Sequence, residues 1–485
     1  MANKPVLPTL DRLKAKVSPS ASAVNIAQAW LSAFSESNAQ SNIDIAEDLF
    51  LPDSYWRDYL ALTSEIRSLT GRTLIKQLIN SRRSHLLSLR LLQELHNSPT
   101  IDAPFPDLTF VQFSFAFETP IGSGSGIGRL VPGADEKWRA FTIMTCLDSL
   151  RDHVEEVGVN RSATPIIEPW EAFRKNQVDL VDEQPQVIII GKEMLYSPSS
   201  QKCAKKWILI SGGGQAGLET AARLKHLDVP TLVVERNPRF PLRGQYIVPP
   251  GSLIPSSQLA NFLESYAETL ELSVWTSSEI QSAEWHQDTK EWSVTIRRRD
   301  SEIRSFSVKH LVFTPGFGGG LPNMPQIPNH NTFKGKVLHS SNFKTARDFL
   351  GKKAVVVGAC NSGLFKEGAN IEHADRVNAS LTWPVIEMFH QRLTPHFAQT
   401  IDKDTIEGLN KVGFKTNLGP QGAGIFPLLY ARSGGYYIDT GGSQEIIDGK
   451  IKLKTGSAIR SFTETGLDFE DGSKLDADVI VFATG

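Results

Sequence analysis

The chain predicts an α/β protein in which two dinucleotide-binding βαβ units follow a separate α+β domain. Three observations carry that prediction. From Trp207 to Arg236 a strand, a glycine-rich turn, a helix and a second strand stand in the order of a Rossmann-like unit. A second strand running into glycines recurs at Gly351 to Gly363. Ahead of both, from Phe110 to Leu147, apolar residues alternate at the period of half-buried strands.

Composition fits this size of architecture and narrows the partners. With 485 residues, 40% hydrophobic and 21% charged, the chain is long enough for two or three domains, each with its own core. A net charge of −2 provides no basic field, so nucleic acid is not an expected partner. Cys146, Cys203 and Cys360 lie far apart and are odd in number, which fits a reducing compartment and gives no zinc spacing. A cytoplasmic location is the expectation, because the first residues lack the apolar centre of a signal peptide and no run is long enough for a membrane span.

In chain order, residues 1–157 read as the α+β domain. Asn25 to Phe34 and Leu74 to Ile79 have helical spacing. FVQFSFAFE, from Phe110, then places Val111, Phe113, Phe115 and Phe117 on one face of a strand. GSGIGRLV and WRAFTIMTCL follow, with PGADEK between them supplying turn chemistry. Helices first and a curved antiparallel sheet afterwards resemble the NTF2-like, SnoaL-like fold, with Trp56 and His85 as candidate pocket residues. A scaffold or dimerisation role suits such a domain as well as a catalytic one, and a homodimer is compatible with it.

Residues 158–206 read as a linker with an insertion. Gly158 to Gln186 is polar and contains proline, which marks a connecting segment. VIIIG, at Val187 to Gly191, has the character of a first Rossmann strand, yet some twenty residues separate it from the glycines. Because a phosphate turn must leave its strand directly, WILIS at Trp207 to Ser211 is assigned to the sheet, and VIIIG is left as a neighbouring strand or a misfit.

Residues 207–350 form the first nucleotide unit. Gly212, Gly214 and Gly217 supply the tight turn, the bare backbone for a pyrophosphate and the close helix-on-strand contact. Leu218, Ala221, Ala222, Leu224 and Leu227 then continue at helical spacing, so the helix N-terminus points at the anion. TLVVE ends on Glu235, 18 residues beyond Gly217, near the separation expected of an acid that accepts hydrogen bonds from an adenosine ribose. Gln215, Ala216 and Arg236 complete this candidate set. A hairpin around DTK and the strand LVFTPG follow.

Residues 351–485 hold the second unit. GKKAVVVGACNSG runs from a strand into Gly358, Asn361, Ser362 and Gly363, with Cys360 where a middle glycine is usual. With this segment the order of motifs resembles the flavin-containing monooxygenases, in particular fungal, YUCCA-like members with an N-terminal NTF2-like domain. The residues that carry the resemblance are GGGQAG at Gly212 to Gly217, FKGKVLHSSNF at Phe333 to Phe343, GACNSG at Gly358 to Gly363 and VIVFATG at Val479 to Gly485. The second of these matches the family fingerprint through Phe333, Gly335, His339 and Phe343. The resemblance implies a two-dinucleotide-binding flavoprotein fold, FAD on the first unit and NADPH on the second. It also implies oxygenation of a small-molecule substrate through a flavin C4a-(hydro)peroxide, with the cofactor carrying the chemistry.

The chain departs from the family at its motifs. After ERNPR the segment that builds the flavin ring pocket is short, LFKEGAN stands where the second unit's helix and basic strand end belong, and the chain stops at Gly485 where the family returns to the FAD domain. Lys192 to Ser211 reads as an insertion. These departures leave the catalytic residues unassigned and the second βαβ unit incomplete. They support an alternative of a different class, a catalytically inactive flavin-binding relic or an assembly protein. No metal-ligand spacing and no nucleophile elbow occurs, and Arg297, Arg298 and Arg299 read as a solvated strand edge.

Overall fold

The computed structural model describes residues 5–36, 45–161, 167–181, 184–190, 212–240, 246–248, 252–254, 256–299, 302–314, 324–339, 346–357, 371–432, 435–437, 439 and 441–483. They divide into two compact units. One takes the described residues within Met1–Val154, Lys366–Asp402 and Asn417–Pro427; the other takes those within Glu155–Phe365, Lys403–Thr416 and Leu428–Gly485.

The first unit is built on a seven-stranded sheet in the order Ile66–Thr70, Phe50–Tyr59, Trp138–Leu150, Gly122–Pro132, Leu108–Thr119, Leu87–Leu91, with Thr100–Phe105 also on Leu108–Thr119. The alternation in FVQFSFAFE is the buried face of one strand, and its neighbour explains the glycines of GSGSGIG. Phe113, Phe115 and Phe117 lie directly opposite Gly128, Gly126 and Gly124. A Cβ on any of these glycines would fall 2.2–2.5 Å from a phenylalanine ring atom, so each ring fills the space that its partner leaves. On this face the helices Ala23–Glu36 and Arg72–Arg82 add Trp30, Phe34, Ile75 and Ile79 to a core containing Phe50 and Trp56.

That packing corrects one expectation. Trp56 is 2% exposed and its indole N–H donates to Thr145 Oγ1 at 3.0 Å, so it is core and lines no pocket. His85 is half-buried in a short 3-10 turn.

The opposite face of the sheet carries a second correction. Leu51, Tyr55, Leu108, Phe110, Val131 and Phe141 pack against Val385 and Met388 of the helix Trp383–Thr400. Sequence position had put this helix in the nucleotide domain at 351–485. It lies instead in the N-terminal unit, where four arginines reinforce the apolar contact. Arg57 donates to Leu381 O at 2.7 Å, Arg129 to Ser380 Oγ at 2.8 Å, and Arg376 and Arg392 pair with Asp148 at 3.0 Å and Asp107 at 2.8 Å.

In the second unit a parallel four-stranded sheet runs in the order Ser273–Trp275, Thr231–Val234, Val187–Ile190, His310–Phe313. The helix Gln215–His226 links the Val187–Ile190 and Thr231–Val234 strands, and Ser256–Thr269 links the next pair. Relative to chain order this is 3-2-1-4, the arrangement of a Rossmann half. VIII therefore occupies the first-strand position, with all four side chains buried, as expected of a strand covered on both faces. The assignment of VIIIG to the margin is corrected, and WILIS lies outside the described residues.

The linker reading is corrected over the described residues of 158–206, while the insertion read at Lys192 to Ser211 lies outside them. Residues Trp170–Asp179 form a helix held by its C-terminal end: Trp275 Nε1 donates to Val178 O at 2.5 Å, and Arg304 donates to Asp179 O and Leu180 O at 3.2 Å each. Arg298, read as part of a solvated run, is 7% exposed, pairs with Asp179 at 2.5 Å and stacks 4.4 Å from the Trp275 ring centroid. An antiparallel meander, Ser278–His286, Glu291–Arg298 and Glu302–Val308, covers this side of the sheet through Ile280, Val294, Ile296 and Phe306.

A second parallel sheet has Val479–Phe482 between Lys336–His339 and Ala354–Val357. A smaller meander, from Ile459 to Asp476, packs Phe462, Leu467 and Phe469 on it. Among the described residues no helix is long and apolar enough to cross a membrane.

Candidate functional site

The first glycine turn lies beside the end of Val187–Ile190, where the strand order reverses between Thr231–Val234 and His310–Phe313. Such a switch point is where open α/β sheets bind ligands, because adjacent connections leave in opposite directions and open a crevice. Thr314, just past the neighbouring strand, donates its N–H to Ile190 O at 2.8 Å, and its Oγ1 lies 3.5 Å from Gly212 O.

Each glycine of the turn has its own reason. A Cβ on Gly217 would fall 1.8 Å from Gly212 O, so only glycine lets the helix start close against the turn. Among the described residues a Cβ on Gly214 would meet nothing within 4 Å, which leaves its backbone bare. Gly214 is the N-cap of the 12-residue helix Gln215–His226 and has no side-chain cap bond, so the first helical N–H groups face outward with the positive end of the dipole. Gln215 and Ala216 are exposed in this first turn, and the Gln215 side chain is drawn aside to Glu219 Oε1 at 2.9 Å.

Glu235 is fully buried beside that turn. Gly213 donates its N–H to Glu235 Oε2 at 3.0 Å, while the backbone N–H and the Nδ2 of Asn237 donate to Oε1 at 2.8 and 2.7 Å. Burial pushes the Glu235 carboxyl above its ordinary value, opposed by the Asn237 and Gly213 hydrogen bonds and by the charge of Arg236. Turn, helix N-terminus and acid thus fit the adenosine and pyrophosphate half of a dinucleotide. Arg236 is exposed next to them.

In the second parallel sheet, His339, Phe482 and Val357 end their strands in register. Two fingerprint residues are packing residues. Phe333 lies in a cluster with Phe462 and Phe482, and a Cβ on Gly335 would fall 2.4 Å from Asp478 O. His339 is buried at its strand end. Phe343, Gly358, Asn361, Ser362 and Gly363 lie outside the described residues.

Asn237, Thr314 and Phe240 escaped sequence reasoning. Asn237 had a local signal, since an Asn two residues past a strand-end acid is placed to fold back on it. Thr314 and Phe240 had none, because their contacts with the turn are made through the tertiary fold. Among the described residues no group of His, Cys, Asp and Glu has the geometry of a metal site.

Residues 236–485, just over half of the chain, match the family model described as flavin-binding monooxygenase-like. Probable indole-3-pyruvate monooxygenase YUCCA10 of Arabidopsis thaliana is 27% identical over 318 residues, covering 57% of this chain and 81% of that relative. Indole-3-pyruvate monooxygenase YUCCA1 of Oryza sativa subsp. japonica is 25% identical over 332 residues, covering 59% and 79%. Among solved structures, cyclohexanone monooxygenase bound to epsilon-caprolactone is 15% identical, covering 62% of this chain and 73% of that one, with a TM-score of 0.40. A flavin-containing monooxygenase from Stenotrophomonas maltophilia is 14% identical, covering 62% and 78%, with a TM-score of 0.36. The chain belongs to the flavin-binding monooxygenase-like family of oxidoreductases.

Proposed function

We propose that the chain holds the adenosine and pyrophosphate half of FAD on Gly212, Gly214, Gln215, Ala216 and Gly217, with Glu235 and Arg236 at the ribose end. It then oxygenates a small organic substrate at the expense of NADPH. The observation that supports this most strongly is the 3.0 Å contact between Gly213 N–H and Glu235 at the switch point, which joins acid and phosphate turn into one site. Reduced flavin, when bound, supplies the oxygen-activating chemistry. The chain's own residues orient and neutralise: helix N–H groups take the pyrophosphate charge, and the buried carboxylate accepts a ribose hydroxyl. Gly358, Asn361, Ser362 and Gly363 form the proposed NADPH turn. The relatives named for indole-3-pyruvate make a 2-oxo acid the first substrate to try.

The N-terminal unit, in this reading, is an NTF2-like scaffold that supports a homodimer, and the protein is cytoplasmic. A second reading, a flavin-binding relic or assembly protein, is favoured by one observation. The segment following the second glycine turn packs in the N-terminal unit, with Arg376 and Arg392 engaged by Asp148 and Asp107. Titrating the purified chain with FAD, then following bound flavin on addition of NADPH, tests both readings: flavin bound and reduced supports the first, flavin bound and unreduced the second.

A further inference from the structure

We infer that Asn237 is a positioning residue for FAD: it occupies one oxygen of Glu235 with two donors and so aims the other at the Gly212–Gly217 turn. This rests on the reading of that turn as the FAD site.

A carboxylate offers about four lone-pair positions. At Glu235, Oε1 receives the Asn237 N–H at 2.8 Å and its Nδ2 at 2.7 Å, while Oε2 receives the Gly213 N–H at 3.0 Å. Among the described residues three positions are filled, and the fourth is on Oε2, the oxygen directed at the turn. A ribose hydroxyl therefore meets an acceptor whose orientation was fixed before binding, which lowers the ordering cost of association. Asn237 is itself held, since its carbonyl accepts the N–H of Ser277 at 3.0 Å. Phe240 closes the site from another direction: a Cβ on Gly213 would lie 2.8 Å from its ring and 3.0 Å from Glu235 Oε2.

Asn237 also has an electrostatic part. Both of its donors favour the ionised carboxylate, against a burial that favours the neutral acid. The charged side chain acting on Glu235 is Arg236, its neighbour in the chain; the glycine turn, Trp275, Ser278 and Phe240 bring no titratable group to it. Without the Asn237 side chain the carboxyl protonates at higher pH, and the ribose loses its charged acceptor there.

The test is the pH profile of FAD affinity, read by flavin fluorescence on the full chain. Asn237→Ala should move the acid limb of the profile to higher pH and weaken binding about tenfold on that limb, the equivalent of one charge-assisted hydrogen bond. Asn237→Ser, which keeps a short side-chain donor, should restore part of the shift. Glu235→Gln cannot ionise and should abolish the limb, and adding Asn237→Ala to it should bring no limb back. A profile for Asn237→Ala that superimposes on the wild type overturns the role of Asn237 and leaves the FAD site standing. A wild-type chain that binds no FAD at any pH overturns the site and the inference together. Should Asn237→Ala fold poorly, Asn237→Leu, which keeps the side chain's shape and lacks a donor, takes its place: a limb shifted to higher pH upholds the inference, and an unshifted limb overturns it.

Discussion

Arg129 Nη1 donates to Ser380 Oγ at 2.8 Å, a contact between residues 251 positions apart inside one buried interface. Burial lowers the Arg129 guanidinium to about 10, so it stays charged at neutral pH. Its charge is spread over Ser380, Thr142 Oγ1 at 3.4 Å and Val377 O at 3.3 Å. The contact explains why the segment around Ser380 belongs with the N-terminal sheet.

Replacing Arg129 by alanine should destabilise the N-terminal unit by about 2–3 kcal/mol, since it leaves a cavity and removes the donor to the buried Ser380 and Thr142 hydroxyls. Methionine should cost less, because it fills the space and Ser380 Oγ also donates to Val377 O at 2.6 Å. Urea unfolding followed by tryptophan fluorescence measures both; an alanine variant with an unchanged midpoint would contradict the interface.

Two glycines of the first turn should respond differently. Gly217→Ala forces a Cβ against Gly212 O and should cost upwards of about 1–3 kcal/mol of stability together with FAD binding. Gly214→Ala meets no atom of the described residues within 4 Å, so thermal stability should hold while FAD affinity falls, because the methyl would occupy the proposed pyrophosphate space. Equal thermal shifts for the two variants would show that the turn has been misread.

Glu235→Ala should weaken FAD binding by about 1–3 kcal/mol. The apo protein carries a pH signature of opposite sense. The folded-state value of Glu235 is raised by burial, so its contribution to stability is full below the unfolded carboxyl range and is lost as pH rises through the raised value. Relative to wild type, apo Glu235→Ala should therefore gain stability with rising pH. FAD affinity of the wild type runs opposite to Glu235's own contribution to stability: it rises with pH and falls on acidification. Calorimetry and fluorescence titration from the ordinary carboxyl range upward to neutral pH separate the two; an FAD affinity that falls as pH rises would rule out an ionised acceptor.

Local patterns carried the elements and failed on their partners. Phe113, Phe115 and Phe117 mark a strand with one buried face, and Gly212 to Gly217 a tight turn into a helix, because periodicity and backbone freedom are written residue by residue. VIIIG was misjudged because adjacency to the glycines is a local criterion, whereas its place is set by pairing with Thr231–Val234 and His310–Phe313. Val385 and Met388 mark a helix with an apolar face, and nothing in that face names Tyr55 or Phe141 as what it covers. Arg298 lies in a run of three arginines, and only the tertiary fold lays it on Trp275 with Asp179 alongside.

On the relic reading, flavin reduction by NADPH should be slow, well below the roughly 1–1000 per second of ordinary turnover. LFKEGAN stands where the family's phosphate-facing helix belongs, and the described residues that follow, 371 to 402, pack in the N-terminal unit. Anaerobic stopped-flow bleaching of bound flavin is the measurement, and reduction at ordinary turnover rates would remove the relic reading.

The central claim is that the switch-point turn and Glu235 form a working FAD site. Purified full-length chain should release FAD on heat denaturation, and added FAD at a hundred times its dissociation constant should stabilise the fold by about 2.7 kcal/mol, seen as a raised melting temperature. Chain that releases no flavin and shows no thermal shift with saturating FAD would contradict the account.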